Sequence, residues 1–366
     1  MKKGFFLIIF SVFLLSFSFT TYGEPSVNVS AECAVLIERQ TQRILYSKAA
    51  HKQRPVASIS KIMTAIIAIE NAHLNDYVTI SKEATKQVGS SLYLPEGTQI
   101  KLRDLLYGLM LRSGNDAAYA IAEHVFGNVS TFVHYMNEKA KELGMFNSTF
   151  ENPSGLDEES VNISTAYDMA LLTKYAMDNP LFREINNTSR HKAETKDGMV
   201  YLWYNKHRLI NHYDYIIGGK TGYTKLAKRT LVSVGKKDNL ELIVVTLNSS
   251  DDWNDHLRLF DYGFKEYEMV TLLEKGIFES KELDKIFYVD DKIVYPVKDE
   301  ELNQFKFVID VDDLNRKTYL LLVNDKRVML KKEIYLYDTT HSVLNDSFTI
   351  KDLWKGIILF IRELFW

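Results

Sequence analysis

A chain of 366 residues, 46% hydrophobic and 25% charged, has an ordinary globular composition with room for two domains. A formal net charge of -3 argues against nucleic acid as a partner, and neither a metal-ligand cluster nor a nucleotide-binding glycine loop is apparent, so no cofactor is expected. Cys33 is the only cysteine, which excludes an intrachain disulfide and leaves stability to the size of the core.

Lys2 and Lys3, then an apolar run from Phe5 to Phe19, then Thr21-Tyr22-Gly23, read as a secretory signal over residues 1–23. The alternative is an uncleaved anchor, against which the shortness of the apolar run counts. Either way the body of the chain is exported. Cys33 lies too far from that run to be a lipid-modified cysteine and reads as a small buried hydrophobe at a strand edge.

Residues 34–37 and 44–46 look like two strands joined by a turn. Next, Arg54-Pro55-Val56-Ala57-Ser58-Ile59-Ser60-Lys61 opens a helical run that continues through Ile66, Ile67 and Ile69. A helix beginning near Ser58 puts that serine in its first turn, with Lys61 three positions on and on the same face. First-turn N–H groups and the helix dipole favour negative charge developing beside Ser58, as a serine nucleophile requires. To act as a base, Lys61 must be neutral, which calls for burial or a second cation. Ser-x-x-Lys alone is weak, since it recurs at Ser189/Lys192 and Ser233/Lys236, and exposed Ser and Lys usually mean a solvated face.

Leu102, Leu105, Leu106, Leu109 and Met110 recur at helical spacing and stop at Ser113-Gly114-Asn115. Asn115 or Asp116 can then cap a helix carrying Ala117, Ala118, Ile121, Ala122 and Val125, with Gly127 as its stop. The corner between them can point short polar side chains into a cleft, although a plain helix-helix turn uses the same residues. Ser-x-Asn also occurs at Ser26/Asn28 and Ser160/Asn162.

Lys220-Thr221-Gly222 occurs once, after Gly218-Gly219 and just before strand-like runs at 230–234 and 242–247. Glycines in such a strand let a ligand backbone approach, and Lys220 and Thr221 offer a charge and a hydroxyl to a carboxylate. The plain alternative is an edge strand with an exposed lysine.

The order Ser-x-x-Lys, Ser-x-Asn, Lys-Thr-Gly resembles the signature of penicillin-binding proteins and serine beta-lactamases. Together with Asn152-Pro153-Ser154-Gly155-Leu156 and Gly219-Lys220-Thr221-Gly222-Tyr223-Thr224, the chain from about residue 34 to 264 is similar to serine-type D-alanyl-D-alanine carboxypeptidases. That resemblance implies an α+β fold, a helical cluster against a mostly antiparallel sheet. It also implies that Ser58 attacks the carbonyl between the last two D-alanines of a peptidoglycan stem peptide and that Lys61 takes its proton. By the same resemblance Lys220 supplies the cation that keeps Lys61 neutral, and the N–H groups of Ser58 and Tyr223 form an oxyanion hole. Ser113 relays a proton to the departing D-alanine, Asn115 holds the substrate amide, Lys220 and Thr221 orient the terminal carboxylate, and Gly222 belongs to the same binding strand. Beta-lactam antibiotics are then expected inhibitors.

Relatives commonly carry an arginine shortly after the second strand of the hairpin, where this chain reads Asn248-Ser249-Ser250-Asp251-Asp252-Trp253-Asn254. Carboxylate selection is therefore expected to rest on Lys220 and Thr221, with Arg258 a surface charge and Asn205 and Lys206 weak candidates for the cleft. A beta-lactamase is the runner-up, because Glu158 and Asn162 satisfy an E-x-x-x-N spacing, but the flanking sequence looks like carboxypeptidase and Glu158 reads as an exposed loop acid. A catalytically silent wall-binding protein is the remaining alternative.

Beyond Met269, short alternating runs at 287–289, 293–295, 305–309, 319–323 and 334–337 suggest a small all-β domain over 270–345, following a catalytic domain over 24–269. The chain closes at 346–366 with an amphipathic helix whose face of Leu353, Trp354, Ile357, Ile358, Ile361 and Leu364 suits a membrane surface. The expected location is the outer face of the cytoplasmic membrane, in the cell envelope.

Overall fold

The computed structural model describes residues 27–338, apart from 281, 282, 284, 313, 314, 316 and 326. The expected signal and the expected C-terminal helix lie outside the described residues.

A five-stranded antiparallel sheet organises the first part of the chain. Its strands are β1 (Cys33–Glu38), β2 (Ile44–Lys48), β3 (Ile216–Thr224), β4 (Lys228–Lys237) and β5 (Leu240–Ser249), in the order β2-β1-β5-β4-β3. Every residue of β1 is buried, because both faces of the sheet are covered. Val35 and Ile37 enter the core shared with the helices that precede β3, while Ala34 and Leu36 enter the core beneath the helix that follows β5. Full burial of side chains such as these stabilises by about 1.5–3 kcal/mol each. The N-terminal hairpin thus docks onto β5 in register, Cys33 opposite Leu247 and Glu38 opposite Leu242, and leaves β3 as an outer strand.

On one face lie α1 (Lys61–Asn71), α2 (Asn115–Phe126) and α3 (Ala166–Asp178), whose Ile62, Ile66, Ile121 and Met169 pack with Val232, Val234, Ile243 and Val245. On the other face α4 (Asp252–Glu266) packs Leu259 and Phe260 against Leu36, Leu242 and Val244. Gly127 ends α2 at φ +80°, the expected stop. The start of α2 differs from expectation. Gly114 is its N-cap, and neither Asn115 nor Asp116 caps it. The Asp116 carboxylate instead accepts from the N–H groups of Leu92 and Tyr93 and the hydroxyl of Ser91, so a neighbouring loop competes successfully for that acceptor.

Residues 268–338 form strands in small antiparallel sheets. Glu268–Leu273 pairs with Ile293–Val297, Lys285–Val289 with Gly276–Ser280 and Leu336–Asp338, and Lys317–Asn324 with Phe305–Asp312 and Arg327–Ile334. The run expected at 334–337 is split, Ile334 ending one sheet and Leu336 opening another. Arg43, in the turn before β2, fastens this region to the rest. Its side chain is 7% exposed, and the guanidinium pairs with Glu301, donates to the carbonyl of Pro296, and lies 5.2 Å and 5.3 Å from the ring centroids of Tyr267 and Tyr295.

Candidate active site

Ser58 sits in a single 3-10 turn, Ala57–Ser60, that runs directly into α1. The preceding Ala57 is held at φ +51°, a conformation costly for a residue with a β-carbon and kept only where its surroundings impose it. Lys61, the first residue of α1, is wholly buried. Its Nζ lies 3.0 Å from Ser58 Oγ, donates to Asn115 Oδ1 at 2.7 Å and donates to the carbonyl of Ser154. A neutral amine has two N–H groups and one lone pair. With both N–H groups on these two acceptors, the lone pair of the neutral form would be left for the Ser58 hydroxyl. Burial holds the Lys61 amine well below its ordinary pKa, with the positive charges of Lys220 and then Lys206 acting in the same direction and Asp116 opposing them.

Ser113 closes the turn after a π-helical segment, Gly108–Arg112, and adopts φ +65°, which turns its side chain away from the helix direction. Lys220, reaching from β3, donates to Ser113 Oγ at 2.9 Å and to the carbonyl of Thr221 at 2.8 Å. Its burial, reinforced by Lys206, lowers its pKa to about 7. Lys220 was expected to be the cation that keeps Lys61 neutral. Its charge acts in that sense, but burial is the larger cause. Gly222 brings β3 against Ser58, since a β-carbon there would lie 3.0 Å from the Ser58 amide nitrogen and 2.4 Å from Thr230 Oγ1.

These residues converge on one open cleft of about 650 Å³, lined in part by Ser58, Ser113, Thr221, Gly222 and the exposed Tyr223. Asn115 and Lys220 reach it from the buried side through Lys61 and Ser113. Lys206, a weak candidate in the sequence, is part of the same wall, donating to Ser90 Oγ at 3.0 Å. Sequence reasoning missed Arg208, Arg229, Asp252 and Trp253 as cleft residues, and no local motif marks them. The competing Ser-x-x-Lys pairs go elsewhere. Ser189 and Lys192 are exposed, and Ser233 is buried between His207 and His256. Glu158 is exposed as expected, and Asn162 is spent on the backbone of Glu151 and Asn152. Arg258 is half-exposed and pairs with Asp251 and Asp255 on its own helix and the residue before it.

A family model described as "D-alanyl-D-alanine carboxypeptidase" (Peptidase_S11) matches residues 19–251. The chain belongs to this family. It is thereby an enzyme of the serine-peptidase kind. Among its relatives, D-alanyl-D-alanine carboxypeptidase DacF of Bacillus subtilis is 32% identical over 290 residues, 75% of this chain and 74% of that protein. DacC of Escherichia coli is 32% identical over 71% of this chain and 69% of its own length. Among solved structures, a point mutant of the Streptomyces K15 DD-transpeptidase, 32% identical, aligns with a TM-score of 0.62 over 65% of this chain and 99% of that one. DacD of Francisella tularensis, at 24% identity, shares the fold with a TM-score of 0.71 over 86% of this chain. The mixture of helices and antiparallel sheet described above is the architecture these family members have in common.

Proposed function

We propose that this family member removes the terminal D-alanine from peptidoglycan stem pentapeptides through an acyl-enzyme on Ser58. The observation that carries the reading is the arrangement around Lys61 Nζ, which meets Asn115 Oδ1, the carbonyl of Ser154 and, at 3.0 Å, the Ser58 hydroxyl. Lys61 takes the hydroxyl proton as Ser58 Oγ bonds to the carbonyl carbon of the penultimate D-alanine. The resulting oxyanion is received by the N–H groups of Ser58 and Tyr223, an interaction of a kind whose loss typically costs about 3 kcal/mol of barrier. As the C–N bond breaks, Ser113, coupled to Lys220 at 2.9 Å, passes a proton to the departing D-alanine nitrogen. Asn115 holds the substrate amide as well as Lys61, and β3 pairs with the extended peptide as an added strand. Water then hydrolyses the ester, and penicillin is trapped on the same serine.

The enzyme is exported on the signal at 1–23, with a catalytic domain over 24–269, a β-rich domain over 270–345 and a membrane-surface helix over 346–366. Among the described residues no helix is long and apolar enough to cross a membrane. The reading of an anchor thus rests on the amphipathic pattern of 346–366, and that of a cell-envelope location on the substrate and the signal.

The test is mass spectrometry of the penicillin adduct together with D-alanine release from a pentapeptide. Adduct mapped to Ser58, slow to hydrolyse, with both signals abolished in Ser58→Ala, is the expected result. Rapid penicillin turnover would make the protein a lactamase instead, and an adduct without D-alanine release would leave a binding protein.

A further inference from the structure

Lys220 is a poor receptor for the terminal carboxylate. Its amine is buried, turned inward, and committed to Ser113 Oγ and to the carbonyl of Thr221. Two guanidinium groups on the cleft wall are more accessible. Arg208 stands exposed in the short helix Arg208–Asn211. Arg229 stands in β4, where the register sets it opposite Tyr223 on β3 and opposite Ser249 on β5. Its side chain is 52% exposed, and one terminal nitrogen lies 3.3 Å from Asp252 Oδ1, whose side chain is only 7% exposed. Asp252 is in turn fixed at the start of α4, where its Oδ1 accepts from the N–H of Trp253 at 3.1 Å. The carboxylate therefore anchors one nitrogen of the guanidinium and leaves the opposite edge free for a planar, two-point partner.

Charge around the cleft leads to the same conclusion. Lys206, Arg208 and Arg229 face it, against Asp252 as the one lining carboxylate, already paired with Arg229. Such an excess favours an anion. Ser58 and Thr221 line the same cleft as these arginines.

We propose that Arg229, anchored by Asp252 and assisted by Arg208, receives the C-terminal carboxylate of the substrate and makes the enzyme select a free carboxyl terminus. Lys220 then acts on the proton passed through Ser113, and Thr221 supports the carboxylate with its hydroxyl. The assignment rests on the carboxypeptidase reading above.

The test compares two substrates on the full chain, a diacetylated tripeptide ending in D-alanyl-D-alanine and the same peptide with its C-terminus amidated. Release of D-alanine or D-alaninamide is followed for wild type, Arg229→Gln, Arg229→Lys and Arg208→Gln. Thermal unfolding checks that each variant is folded. For Arg229→Gln, kcat/KM on the free acid should fall roughly 10- to 100-fold, mainly through KM, as loss of a charge-assisted pair implies. Its kcat/KM on the amide should stay near that of wild type, so the preference for the acid collapses. Arg229→Lys should recover part of the preference, because an ammonium replaces the charge without the fork. Arg208→Gln should lose a smaller part. An Arg229→Gln enzyme that keeps the wild-type preference, or loses both substrates equally, overturns the proposal. If wild type cleaves neither peptide, the carboxypeptidase reading falls and the proposal with it. If wild type cleaves both equally well, only the proposal falls.

Discussion

Gly155 stands against Ala57 so closely that a β-carbon on it would lie 2.0 Å from the Ala57 carbonyl oxygen and 2.4 Å from Ser60 Oγ. Gly155 also adopts φ +76°, in the left-handed region that favours glycine. The loop that supplies the Ser154 carbonyl to Lys61 is thereby pressed directly onto the turn that carries Ser58. Gly155→Ala should lower stability by about 2–4 kcal/mol through backbone strain and overpacking. It should also slow penicillin acylation of Ser58 disproportionately, because Ser58 and Lys61 separate. Denaturant unfolding and single-turnover acylation check this, and unchanged acylation in a destabilised variant would show that the turn keeps its shape without the contact.

Asn115→Asp would put a carboxylate where the amide oxygen now lies 2.7 Å from Lys61 Nζ. An opposite charge at that distance favours the ammonium form, which raises the lowered pKa of Lys61. Since the base works only when neutral, acylation should fall by roughly two orders of magnitude at pH 7 and recover as the pH rises. Asn115→Ala should slow the reaction without that steep recovery. The pH profile of acylation distinguishes them, and parallel profiles for the two variants would count against Lys61 as the base.

His207 and His256 meet across Ser233 in the interior. His207 Nε2 lies 2.9 Å and His256 Nδ1 2.8 Å from Ser233 Oγ, and His256 Nε2 lies 3.0 Å from Thr246 Oγ1. Burial lowers the pKa of both, that of His207 to about 4. The unfolded chain, with histidines near 6.5, binds more protons below that pH than the folded one. The stabilisation from neutral His207 is therefore complete above pH 6.5 and lost as the pH falls towards 4, at a cost of roughly 3 kcal/mol. Unfolding free energies at pH 7 and pH 4.5 should show the loss, and it should be smaller in His207→Gln. An equally steep decline in that variant would assign the acid sensitivity to other groups.

The parts of the site that sequence made legible are those written in neighbouring residues. Ser58 and Lys61 are one helical turn apart, Ser113 and Asn115 flank one corner, and Lys220 through Tyr223 lie on one strand, so local periodicity is enough to place them. The strands of the main sheet were readable for the same reason, through alternating or continuous apolar runs. What escaped depends on register and on competition between distant groups. Arg229 comes to the cleft because β4 pairs with β3 in one particular alignment, and Asp252 because α4 begins where β5 ends. Asp116 looked like a cap but is taken by the loop at Leu92 and Tyr93, and Arg327–Ile334 carries too many charges to read as a strand. Neither outcome is decided by the residues on either side.

The outer position of β3 has a consequence for the protein's behaviour in concentrated solution. An outer strand is open to any other strand, including the same one from a second molecule. Two copies meeting there about a twofold axis would each bring a cleft lined by Lys206, Arg208 and Arg229 to the encounter. Like charges facing one another penalise that encounter, whereas a peptide arriving with a negative end meets no such resistance. Salt, by screening those cations, should therefore ease any such self-pairing, which light scattering at low and high ionic strength would detect.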